Sequence, residues 1–137
     1  MIAVPHVEKT SKTYNMKDLF RVEGRVIVIT GAAGILGSAM VRHFAEQGAR
    51  VVILDRKREA GERLAAEVTA EGGCAVAYAT DVLDRASLDE NYEKVMARFG
   101  RIDVLINAAG GNMPGATIPP DKTFFDLDPE AVRKVVD

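Results

Sequence analysis

The chain has 137 residues, a net charge of −2 and a single cysteine, which suits one globular domain without a general basic footprint for nucleic acid or an internal disulfide. Its strongly apolar runs reach only about six residues, as in CAVAYA, far short of the ~18 that a membrane span needs. The N-terminus, MIAVPHVEKTSKTYN, lacks the basic start and apolar core of a secretory signal, so the cytoplasm is the expected compartment.

Residues 1–15 carry little apolar periodicity and are expected to form a mobile N-terminal extension, with the domain itself over 16–137. RVIVIT (25–30) is β-branched and apolar, which predicts a strand buried on both faces. ILGSAMVRHFAEQ (35–47) predicts a helix with Leu36, Met40 and Phe44 on its inner stripe and Gly37, Val41 and Ala45 beside it, ended by Gly48. His43 falls on the outer face of that helix as a solvated residue. ARVVILD (49–55) is a second strand. REAGERLAAEVTAEG follows as a helix with Ala60, Leu64 and Val68 inward. CAVAYAT (74–80) is a third strand, in which Cys74 reads as a buried core thiol. Ser87 and Glu90, three apart, form a capping box for a third helix with Leu88, Tyr92, Val95, Met96 and Phe99 inward, closed by Gly100. IDVLIN (102–107) is a fourth strand. Residues 108–127 are irregular and rich in Gly and Pro, and Asp128 with Pro129 opens a last helix.

Strands alternating with helices in this way imply an α/β fold with a parallel sheet and right-handed crossovers. In the order 3-2-1-4, VLIN would form a naked apolar edge. Further strands are expected to cover it, in a parent chain of roughly 250 residues or more, within the range for single α/β domains.

TGAAGILG (30–37) places Gly31, Gly34 and Gly37 between the first strand and the first helix. In a doubly wound sheet that turn docks a nucleotide pyrophosphate on the helix N-terminus. Gly31 would permit the sharp turn, Gly34 the approach of the phosphates, and Gly37 the close lie of the helix. The other reading is tight packing in a generic α/β protein. No G-K-[ST] follows, which excludes a P-loop. Asp55 ends the second strand 24 residues after Gly31, where an acid grips adenosine ribose hydroxyls; otherwise it is a solvated residue or a helix cap. Asp81-Val82 and Asn107-Ala108-Ala109-Gly110 end the third and fourth strands on the same rim, or simply make turns. The two histidines, His6 and His43, lie far apart and with one cysteine suit no structural zinc site.

These pieces, in order and well spaced over residues 25–110, resemble the short-chain dehydrogenases/reductases. The resemblance implies a Rossmann-type doubly wound sheet in three α/β/α layers, of which the first four strands are present. It implies that Gly31, Gly34, Ile35, Leu36 and Gly37 form the pyrophosphate turn. Asp81 and Val82 would meet the adenine, and Asn107, Ala108, Ala109 and Gly110 the two riboses. Ile35 stands where the usual pattern has a second glycine, and Ala108 where it has a second Asn. The activity implied is hydride transfer between a nicotinamide and an alcohol or ketone carbon. NAD is preferred to NADP, because Asp55 accepts two hydroxyls and repels a 2′-phosphate; Arg56, beside it, is the residue that could touch such a phosphate.

AGGNMPGAT followed by TFFDLDPEAV resembles, more loosely, the sugar-acid branch that interconverts mannonate and fructuronate. Asn112 and Lys122 could then hold a polyhydroxy carboxylate, or the loop is a solvated surface. A homo-oligomer, dimer or tetramer, is expected of the full-length protein, with no nucleic-acid or membrane partner. The family's Tyr-x-x-x-Lys is not met: Tyr14 is followed at that spacing by Asp18, Tyr78 by Val82 and Tyr92 by Met96. No catalytic residue is therefore assigned, and the chain alone is expected to be inactive. Two other classes use such a fold: a non-catalytic dinucleotide sensor or interaction module, and a methyltransferase, against which the TG start and NAAG argue.

Overall fold

The computed structural model describes residues 20–136; the expected extension, residues 1–15, lies outside them. The elements run β1 (Val26–Thr30), α1 (Ile35–Glu46), β2 (Arg50–Asp55), α2 (Arg58–Ala70), β3 (Cys74–Ala79), α3 (Arg85–Phe99), β4 (Val104–Asn107) and α4 (Pro129–Val136). All pairings are parallel, in the order β3-β2-β1-β4, with Thr30 in register with Leu54 and with Asn107. β1 and β2 are central, and β1 is buried along its whole length. This is why RVIVIT and RVVILD read as continuous apolar runs rather than alternating ones.

The two faces of the sheet hold separate cores. Ile27, Ile29, Val51 and Ile53 pack against Val41 and Ala45 of α1 and Leu64 and Val68 of α2. Val26, Val28, Val52, Leu54 and Val76 pack on the other face with Val95 of α3. The result is the three-layer, Rossmann-type arrangement. Gly48 (φ +80°) and Gly100 (φ +72°) end α1 and α3 in the left-handed region, where glycine carries no Cβ penalty.

Four details differ from the sequence reading. The buried stripe of α1 is Gly37, Val41 and Ala45. Leu36 is exposed, and Met40 and Phe44 are only partly buried, because the helix lies so close to the sheet that small residues must face it. α3 is capped by Asp84, whose carboxylate accepts the Ala86 N–H, not by Ser87 and Glu90. Glu90 pairs instead with Lys94 one turn on, which holds its carboxyl below the ordinary range. Tyr92 faces solvent and Asn91 takes the inner position, one turn before Val95. Cys74 is exposed, since it opens the edge strand β3 ahead of the buried pair Ala75 and Val76.

β4 is the other edge. Leu105 is 57 % exposed and Val104 is open as well, the naked apolar edge that the strand order implies. The loop after it is less irregular than its composition suggests. It holds two 3-10 turns, Pro114–Ala116 and Phe124–Asp126. The second is locked by a capping box in which the Thr123 N–H and hydroxyl both donate to the Asp126 carboxylate, lowering its pKa. Asp128 caps α4 through the Glu130 N–H, as its position before Pro129 predicts. No helix among the described residues is long and apolar enough to cross a membrane.

Candidate dinucleotide site

Because the four strands are parallel, their C-terminal ends lie on one rim. β1 delivers Thr30 and Gly31 there, β2 delivers Asp55, β3 Thr80 and Asp81, and β4 Asn107. Gly31 leaves the strand at φ +63°, a conformation that an L side chain resists. A Cβ on it would also lie 2.8 Å from the Ala108 oxygen and from Ala109 Cα. The glycine thus serves two needs at once, the turn and the passage of the β4 segment.

Thr30 ties the same two segments together. Its side chain is buried, and its hydroxyl accepts the N–H groups of Ala108 and Ala109, each at 3.0 Å. Gly37 sits against the turn itself. A Cβ there would be 2.6 Å from Ala32 Cα and from the Gly31 carbonyl oxygen. The first helical turn is therefore drawn onto residues 31–32, closer than mere contact with the strand.

Gly34 is the N-cap of α1 and offers no side-chain cap, and no acid lies in the first turn. The N–H groups of Ile35, Leu36 and Gly37 open the helix, where no internal acceptor exists for them. Ser38 is the first to find one, at the Gly34 carbonyl. α3, in contrast, spends Asp84 on its own N-terminus. The start of α1 is a set of N–H donors at the positive end of a helix dipole, suited to an anion. Ile35 and Leu36, 92 % and 78 % exposed, stand over the rim as apolar surface.

Asp55 is half-buried between turns. One carboxylate oxygen accepts the Ala33 N–H at 3.0 Å, the other the Lys57 N–H at 2.9 Å. Each oxygen keeps a further lone pair, so the group still suits a vicinal diol. Arg56, next to it, is exposed. Asp81 accepts the Leu83 N–H, closing its own turn, and its N–H donates to the Ser87 hydroxyl at 3.3 Å. Val82 is half-buried beside it, while Asn107, Ala108, Ala109 and Gly110 are exposed along the rim.

Two supporting residues escaped the sequence reading. One is Thr30, visible there only as the first letter of TG. The other is Asn91, 2 % exposed. Its amide donates to the Ala79 carbonyl and the Thr80 hydroxyl, each at 2.9 Å, and its oxygen accepts from Lys94. It anchors the end of β3 directly before Asp81. The signal for it was a polar residue one turn before Val95 in the middle of an amphipathic helix.

The loop residues separate. Asn112 is used within the loop, donating to the Thr117 hydroxyl and accepting the Met113 N–H. Lys122 is exposed beside a small hollow between Pro114 and Asp128. Among the described residues no cluster of three or more His, Cys, Asp or Glu could hold a metal ion.

Residues 25–137 match the family model of the short chain dehydrogenases. The chain belongs to that family. An uncharacterized oxidoreductase, UxuB, of Bacillus subtilis (strain 168) is 45 % identical over 113 residues, 77 % of this chain and 41 % of the relative. A Haemophilus influenza protein provisionally assigned as a D-mannonate oxidoreductase, solved with bound NAD, aligns with a TM-score of 0.76 at 36 % identity, over 88 % of this chain and 47 % of that one. A metagenomic short-chain oxidoreductase in complex with NADP aligns at 0.69 and 30 % identity, over 85 % of this chain and 50 % of its own. The chain spans less than half the length of the curated relatives it matches. Membership gives no support to the sensor or the methyltransferase.

Proposed function

We propose that this chain is the dinucleotide-binding part of a nicotinamide-dependent oxidoreductase, with NAD preferred to NADP. The observation that carries the reading is the uncapped start of α1, opening onto the rim along which Gly31, Asp55, Asp81 and Asn107 are lined up. The donor set fits the cofactor. The N–H groups of Ile35, Leu36 and Gly37 would hold the pyrophosphate, Asp55 the adenosine ribose hydroxyls, Asp81 and Val82 the adenine, and residues 107–110 would pack beside the adenosine and nicotinamide ribose. When bound, the nicotinamide supplies the hydride chemistry; the chain aligns it and keeps the phosphates neutralised.

The reaction is hydride exchange with an alcohol or ketone carbon, and the substrate a sugar acid such as mannonate or fructuronate. The assignment of the Haemophilus influenza protein supports that class. So does Lys122, exposed on the loop after β4, as a cation for a carboxylate. Asn112 uses one N–H and one lone pair within the loop and keeps one of each for the same substrate. With no Tyr-x-x-x-Lys among its tyrosines, the 137-residue chain has no turnover of its own; the full-length protein acts as a homo-oligomer in the cytoplasm.

Fluorescence titration with NADH and NADPH tests the cofactor reading. Binding of NADH with weaker NADPH supports it, and tighter NADPH overturns the preference. Turnover of a panel of sugar acids and simple alcohols by the full-length protein tests the substrate class.

A further inference from the structure

We infer that Asp55 is also the latch of the glycine turn, so that cofactor selectivity and pyrophosphate docking are coupled through one carboxylate. The inference rests on the reading of the rim as a nicotinamide dinucleotide site. Residues 31–34 are Gly-Ala-Ala-Gly and bring no polar side chain of their own. Among the described residues, the one hydrogen bond between this stretch and a side chain is donated by the Ala33 N–H to the Asp55 carboxylate. The other ties are from backbone alone: the Gly34 N–H to the Gly31 carbonyl at 3.1 Å, the Ser38 N–H to the Gly34 carbonyl at 2.8 Å, and a long one, the Ala32 N–H to the Leu54 carbonyl at 3.4 Å. The second oxygen of Asp55 holds the Lys57 N–H at the head of α2. One side chain thus clamps the turn after β1 to the turn after β2.

The turn sets where α1 begins, since Gly37 rests on Gly31 and Ala32. It therefore sets where the N–H groups of Ile35, Leu36 and Gly37 lie. A carboxylate is an acceptor only, with two lone pairs per oxygen. Ala33 and Lys57 use one on each, and one on each remains for the two ribose hydroxyls. Both tasks can be done together. Removing the carboxylate to admit a 2′-phosphate would then release the turn that holds the pyrophosphate, and selectivity could not be exchanged by that change alone.

The test separates the two tasks with an analogue of NADH that lacks both hydroxyls of the adenosine ribose. Its affinity and that of NADH are measured on the full-length wild type and on Asp55→Ala. A role confined to the ribose predicts that the substitution leaves the analogue's affinity unchanged. The latch predicts roughly fivefold weaker binding of the analogue, the size of one lost hydrogen bond. Hydrogen exchange adds a second readout: the Ala33 amide should exchange faster in the variant while Val28 and Val52, in the central strands, stay protected. If Asp55→Ala does not fold, Asp55→Leu keeps the volume without an acceptor and is read in the same way. Unchanged analogue affinity with unchanged Ala33 exchange overturns the latch. A wild type that binds neither NADH nor the analogue overturns the dinucleotide reading itself.

Discussion

Thr30 and Ala108, 78 positions apart, are joined by a 3.0 Å hydrogen bond from the Ala108 N–H to the Thr30 hydroxyl. The same oxygen takes the Ala109 N–H. The two loops that make the rim, after β1 and after β4, are thereby held at a fixed spacing. Thr30→Val keeps the shape and removes the acceptor for both. It is expected to lower unfolding stability by ~1–3 kcal/mol and to weaken NADH binding, whereas Thr30→Ser retains both. Denaturant unfolding and cofactor titration of the pair check this, and a Val variant equal to wild type in both would show that the bonds carry nothing.

Gly37 has no room for a side chain. The obstruction is backbone, at 2.6 Å, and cannot swing aside. Gly37→Val is expected to cost ~1–3 kcal/mol or more as overpacking and to tilt the first turn of α1 away from the anion. Gly111, with open space around it, is the control: Gly111→Ala should leave the melting temperature near wild type. Equal melting temperatures for both variants would contradict the close contact.

Asn91 occupies an inner position that an amphipathic pattern assigns to an apolar residue. Were it an ordinary core site, Asn91→Leu would stabilise. Its amide instead satisfies the Ala79 carbonyl and the Thr80 hydroxyl, so the Leu variant is expected to lose ~1–3 kcal/mol by leaving buried acceptors unpaired. Urea unfolding decides the sign.

Asp103 precedes β4 and accepts the Val26 N–H at 2.8 Å, with the Arg101 and Arg25 guanidinium groups also bonded to it. These partners, the Val26 N–H first, lower its carboxyl from 3.8 to about 2. A folded-state pKa below the unfolded one stabilises the fold above the unfolded value, and that contribution is lost as pH falls through the folded one. The stability gap between wild type and Asp103→Asn should be full near neutral pH and shrink as pH falls from about 4 to about 2. Urea unfolding across that range measures it, and a gap independent of pH would remove Asp103 as the cause.

The layered fold and the special residues at the strand ends were legible in the sequence because each leaves a local signal. β-branched runs mark central strands, glycine in a turn marks a backbone constraint, and an acid at a strand end marks a rim. Tertiary structure alone decided who meets whom. The reason Gly31 must be glycine lies at Ala108, and the partner of Asp55 lies at Ala33, each across a crossover connection. Helix-to-sheet distance decided that Gly37, Val41 and Ala45 form the buried stripe of α1, with Met40 and Phe44 packed against the core from its margin and Leu36 exposed. Edge position decided that Cys74 is exposed. Periodicity reports which residues share a stripe; how closely that stripe approaches its neighbour is a property of packing between segments, and no window of sequence contains it.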